Sequence, residues 1–153
     1  MALIGGCNCG NVRYGVRNKP IFTHACHCRD CQRSTGSAFV IHSVVLKEDL
    51  EIKGETKSTT LPTGSGAGYD PHFCANCGTY IWCKYHFSTI PAIALRTATL
   101  DDTVMISPQA HIFTKYKQQW LTLTEDIPAF EEFYVREEVW PAASLDRINS
   151  ITG

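Results

Sequence analysis

The sequence predicts a mainly β, single-domain fold with a short helix near its end, and three observations carry that expectation. Short runs alternate apolar with polar residues at the two-residue period of half-buried strands. Turn-forming residues, among them 11 glycines and 7 prolines, interrupt these runs too often for long helices. No repeat, low-complexity tract or linker divides the 153 residues, a length at which one core is sustainable without cross-links.

Val12, Tyr14 and Val16 alternate with Asn11, Arg13 and Gly15, giving the first strand. A short helix is expected at 28–35. The Val- and Ile-rich run 38–46 reads as a strand, as do 50–53 and 57–61. The glycine-rich stretch 63–69 opens no helix, so it reads as a loop and not as a phosphate cradle. Ile81, Cys83 and Tyr85 alternate with Tyr80, Trp82 and Lys84, and further strands are expected at 92–100, 112–114 and 120–124. A helix is expected over 128–139, with Pro128 in its first turn and Pro141 as its stop.

Composition narrows the function. With 44% hydrophobic and 19% charged residues the chain has neither the profile of disorder nor an apolar run that could span a membrane. The formal net charge is −1 and no basic run occurs, which argues against nucleic acid and anionic membrane surfaces as partners. The first six residues hold no secretory signal, and a cytoplasmic location is the resulting expectation.

Eight cysteines then need an explanation other than disulfides, which are rare in a reducing compartment. Seven fall into three groups: Cys7 and Cys9 in CNCG, Cys26, Cys28 and Cys31 in CHCRDC, and Cys74 and Cys77 in FCANCG. Thiolates this close in sequence share a tetrahedral zinc when the backbone turns sharply between them. Gly10 and Gly78 directly follow two of the groups, where a left-handed residue closes such a turn and leaves an N–H to point at sulfur. Two, three and two thiolates make one complete four-ligand site plus three spare thiolates. Three protein ligands with one open position is the catalytic zinc arrangement. Spacing alone leaves the grouping open, since Cys28, Cys31, Cys74 and Cys77 would also make a single four-cysteine ribbon. A three-thiolate zinc is a weaker Lewis acid than a three-imidazole one and suits a sulfur substrate.

The eighth cysteine, Cys83, sits in a strand pattern and reads as a buried thiol. His27 and His72 adjoin the cysteine groups and are candidates for a fourth ligand or a proton relay, whereas His24, His42, His86 and His111 read as ordinary core or surface positions. Arg29, Gln32, Arg33, Ser34, Thr35, Gly36 and Ser37 form a polar stretch beside the three-cysteine group, suited either to line an open metal position or to cap a helix.

Five segments resemble the glutathione-dependent formaldehyde-activating enzyme family, which also includes a domain of centromere protein V: GGCNCGNVRY (5–14), CHCRDCQRSTGSAF (26–39), FCANCGT (73–79), ALRTATLDD (94–102) and HIFTKYKQQW (111–120). The resemblance implies coiled β-sheets like those of methionine-sulfoxide reductase B. It implies that Cys7, Cys9, Cys74 and Cys77 hold a structural zinc, and that Cys26, Cys28 and Cys31 hold a second, catalytic zinc, two Zn2+ per chain. It also implies a carbon–sulfur lyase or synthase acting on S-hydroxymethylglutathione, with a small thiol, glutathione, as partner. A homo-oligomer is compatible with these features. The competing expectation is a zinc-stabilised binding module without turnover, and a third is a redox sensor that releases zinc on oxidation.

Overall fold

The computed structural model describes residues 2–153. In chain order its strands and helices are β1 (Leu3–Gly6), β2 (Arg13–Val16), β3 (Phe22–Cys26), α1 (Arg29–Thr35), β4 (Val40–Leu46), β5 (Leu50–Lys53), β6 (Thr56–Ser58), β7 (Tyr69–Cys74), β8 (Tyr80–Tyr85), β9 (Ala92–Arg96), β10 (Ala110–Ile112), α2 (Arg136–Val139) and α3 (Ala142–Thr152). Four single-turn 3-10 helices link them. The protein is mainly β, with ten strands in two sheets among the described residues and a short C-terminal helix. No described helix is long and apolar enough to cross a membrane.

The chain divides into two compact units, the first built from residues up to Ile21 with Ser43–Ser107, the second from Phe22–His42 with Pro108–Gly153. In the first unit β1, β2 and β5 form an antiparallel sheet, with Leu3 opposite Val16 and Val16 opposite Leu50. β6, β7, β8 and β9 form an antiparallel run. The alternation seen in the sequence becomes burial here. Val12, Tyr14 and Val16 join Leu3, Ile81, Ile93, Leu95 and Leu100 in one apolar cluster that also takes in Cys7 and Cys74. Cys83 lies in a second cluster with Tyr69 and Ala94, fully buried as expected.

In the second unit β3 pairs in parallel with β10, placing His24 opposite Ala110 and Cys26 opposite Ile112. Around Phe22 the unit packs Tyr134 edge-on and Trp140 stacked, with ring centroids at 5.4 and 5.6 Å. The indole N–H of Trp140 donates to the Tyr134 hydroxyl at 2.8 Å, and that hydroxyl shares a hydrogen bond with Nδ1 of His24 at 2.9 Å. Burial pushes the His24 pKa down to about 4, so the ring is a neutral imidazole.

Several expected elements moved, each for a local reason. The helix expected over 128–139 forms only at Arg136–Val139. The residues before it spend their backbone on β10 and the turn after it: His111 N–H donates to Pro128 O, Phe130 N–H to His111 O and Phe113 N–H to Glu132 O. A helix there would strip those partners away. Pro141 stops α2 as expected, with Trp140 extended before it, and also caps the start of α3, where its fixed φ and missing N–H cost nothing. The strand expected at 120–124 is absent, and Lys117 instead ties that stretch into a turn by donating to the carbonyls of Gln118 and Leu121. The 92–100 strand stops at Arg96, where Thr99 donates to the Arg96 carbonyl and a 3-10 turn begins. The strand expected at 112–114 lies at Ala110–Ile112 and ends where Phe113 adopts a left-handed φ of 55°. Of the run 57–61, only its start is in β6, while Leu61 exchanges two backbone bonds with Tyr69 across the glycine-rich loop.

Candidate metal centres

Two groups of thiols come together, one in each unit. The sulfurs of Cys7, Cys9, Cys74 and Cys77 lie within 4.8 Å of one another, as do those of Cys26, Cys28 and Cys31. All eight cysteines are free thiols. The four-cysteine ribbon drawn from Cys28, Cys31, Cys74 and Cys77 is not the grouping that forms.

The four-sulfur group is built from two tight turns. Cys7 and Cys9 sit just past β1, where Gly10 N–H donates to Cys7 O at 3.2 Å and Gly10 takes a φ of 79°. Cys74 closes β7, and Gly78, at φ 74°, donates its N–H to Cys74 O at 3.0 Å. The glycine N–H groups close the turns, and other backbone N–H groups are left to point at sulfur, as expected: Val12 N–H donates to Cys7 Sγ at 3.2 Å. Thr79, which no spacing rule singles out, joins the two turns: its Oγ1 accepts from Asn8 N–H at 3.2 Å and lies 3.1 Å from Cys77 Sγ. Hydrogen bonds from the Thr79 side chain and backbone, with help from Cys9, hold the Cys77 thiol down to about 5.

The donor set fits a tetrahedral ion. Sulfurs about 2.3 Å from a common centre stand roughly 3.8 Å apart. Cys7 and Cys9 are at 3.5 Å, Cys9 and Cys74 at 3.8 Å.

The three-sulfur group depends on α1. Cys26 ends the fully buried β3, and Cys28 is the N-cap of α1, its sulfur accepting from Cys31 N–H at 3.3 Å. One helical turn therefore brings Cys31 beneath Cys28. Gln32 fixes the helix, its amide N–H groups donating to the carbonyls of His27 at 2.7 Å and Tyr116 at 2.9 Å. Gly36 ends α1 in the left-handed region, so the polar stretch 29–37 does build a helix and its cap. Cys26 and Cys31 are buried and Cys28 is half-buried, which marks the side of the group that meets solvent.

The three thiols do not ionise alike. Hydrogen bonds from Cys26 and Cys31 pull Cys28 down to about 3. Holding its proton against Cys28 raises Cys26 to about 12, and the same contacts, with burial, push Cys31 well up. Three thiolates this close and this buried would require a cation among them.

Among the described residues no fourth Cys, His, Asp or Glu belongs to the three-sulfur group. His27 is fully buried against Phe39, and its Nε2 bonds Nδ1 of His111 at 3.0 Å. Burial, with His111 and Lys117 nearby, lowers its pKa to about 4. His72 stacks on Trp82 at 3.5 Å and stands outside the four-sulfur group. His86 is half-exposed and bonds Asp70 Oδ2 at 2.9 Å and Ala67 O at 3.2 Å.

Fold and sites together define a mainly β protein with a four-thiol and a three-thiol group, each placed to hold a metal ion. The family model described as glutathione-dependent formaldehyde-activating enzyme matches residues 2–116, and the chain belongs to that family. A crystal structure of a Rhodobacter sphaeroides protein is similar over 69% of this chain and 92% of its own, at 24% identity and a TM-score of 0.50. No curated protein is significantly similar to the chain in sequence.

Proposed function

We propose that this protein is a zinc-dependent carbon–sulfur lyase or synthase acting on a small thiol adduct such as S-hydroxymethylglutathione. The observation that carries the reading is the three-sulfur group of Cys26, Cys28 and Cys31, complete in thiols yet one donor short of a closed tetrahedral site. Zinc bound there would supply a Lewis acid and a position that accepts sulfur. Cys7, Cys9, Cys74 and Cys77 would hold a second, structural zinc.

The chain's own residues shape the approach. Cys28 faces solvent while Cys26 and Cys31 are buried, so a substrate enters from the N-terminal end of α1. Gln32 pins that helix to the His27 and Tyr116 backbone, holding two of the three sulfurs in place while substrate exchanges. The expected setting is soluble and cytoplasmic, with free thiols at hand.

The test is exchange spectroscopy on glutathione and formaldehyde at equilibrium. Wild type should speed interconversion of adduct and free thiol, and Cys28→Ser should return it to the uncatalysed rate. Equal rates for the two proteins would sink the catalytic reading.

A further inference from the structure

The polar stretch after the cysteines does more than cap a helix. Beside α1 lies a cleft of about 480 Å³, inside the range of small-molecule sites, lined by Arg29, Gln32, Arg33, Ser37, Gln118 and Trp120. Its walls are braced. Gln118 Nε2 donates to Gln32 Oε1 at 2.8 Å, and Lys117 holds the turn after it through the Gln118 and Leu121 carbonyls. On this frame Trp120 stands 72% exposed and makes no ring or cation contact among the described residues. A large aromatic side chain in a braced wall with nothing against its face is an unfilled stacking surface.

Arg29 and Arg33 stand one turn apart on α1 and both line the cleft. Neither pairs with a carboxylate among the described residues; Arg29 bonds only the neutral Gln32 Oε1. Two like charges at this spacing repel and Arg29 sits in the first turn, an effect that Asp30 and the last-turn position of Arg33 offset in part. Both guanidinium groups still lack a carboxylate contact among the described residues, and an anion in the cleft would supply one to each.

We propose that this cleft binds a flat π-system carrying an anionic group, carboxylate or phosphate: the ring on Trp120, the anion on the two guanidinium groups. The cleft shares α1 with the three-thiol group, Arg29 and Gln32 directly following Cys28 and Cys31, but its readout is ligand binding and not thiol turnover.

The experiment uses the full, metal-loaded chain and follows indole fluorescence while titrating benzoate, phenyl phosphate, benzamide and acetate. Benzoate or phenyl phosphate should quench saturably, and the better of the two identifies the anion. Trp120→Phe should lose the quenching, and Arg33→Gln should weaken binding by about tenfold or more with an unchanged far-UV spectrum. The proposal is overturned if no anionic probe saturates, if benzamide binds as well as benzoate, if acetate binds as well as either ring-bearing anion, or if Arg33→Gln binds like wild type. Unchanged quenching in Trp120→Phe would overturn it as well.

Discussion

At the scale of single residues, hydrogen bonds to sulfur and ring atoms determine more than the residue types do. Thr79 bridges Asn8 N–H and Cys77 Sγ, so it supports a thiolate without touching any ion itself. Thr79→Val should lower metal affinity at the four-sulfur group by about tenfold, measured by competition with a chromogenic chelator, and leave the three-sulfur group unchanged. Tyr134 has the same economy: one hydroxyl serves both Trp140 and His24. Tyr134→Phe leaves two buried groups unpaired and should cost about 2–3 kcal/mol in urea unfolding. The cysteines were legible in the sequence because metal-binding spacings are local. Thr79 was not, because its role rests on Asn8, a residue 71 positions away. His111 was passed over for the same reason, its partner His27 being 84 positions distant.

At the scale of elements, β2 and β8 were readable because one face of each is more deeply buried than the other, so their side chains alternate. β3 was invisible because all five of its residues are buried while Thr23 and His24 interrupt the apolar run, which leaves neither the alternation of β2 nor the mostly apolar stretch that marked β9. β7 was hidden by Pro71, which ordinarily rules out a strand between two neighbours. Its pairing with β6 stops at His72, so the N–H that proline lacks has no acceptor waiting. The far end of β7 is clamped to the glycine-rich loop through Asp70, which accepts from Thr60 and from His86. Hydrogen bonds from His86 and Thr60 hold the Asp70 carboxyl below its ordinary value of 3.8. A depressed carboxylate contributes stability above its unfolded pKa, and that contribution is lost as pH falls through the lower folded value. Asp70→Asn should therefore unfold less steeply than wild type between about pH 4 and pH 2 in acid melts, and proteolysis of the 62–68 loop should rise in the variant at neutral pH.

At the scale of the whole chain, the two thiol groups join very different lengths of sequence. Cys9 and Cys74 meet across 65 positions, whereas Cys26, Cys28 and Cys31 span six residues. An ion in the first group closes a long loop and removes much disorder from the unfolded chain; one in the second closes almost nothing. Cys7→Ser should lose one metal equivalent per chain and lower the melting temperature by several degrees. Cys28→Ser should also lose one equivalent, with a much smaller thermal shift. Metal analysis and calorimetry on the two variants check both. The same contrast explains what spacing could and could not say: the short group was recognisable as a unit, but which pairs meet at long range depends on how β1 and β7 pack, and local spacing carries no record of that.

Cys28 has two duties, since its sulfur both belongs to the three-thiol group and caps the first turn of α1. Any event that pulls this sulfur away, whether oxidation, alkylation or an incoming ligand that shifts the group, also releases the Cys31 amide. Hydrogen–deuterium exchange at that one amide should therefore report the state of the cluster, protected while Cys28 stays in place and rapid once it is drawn off, even in conditions where no spectroscopic signal from the metal is available.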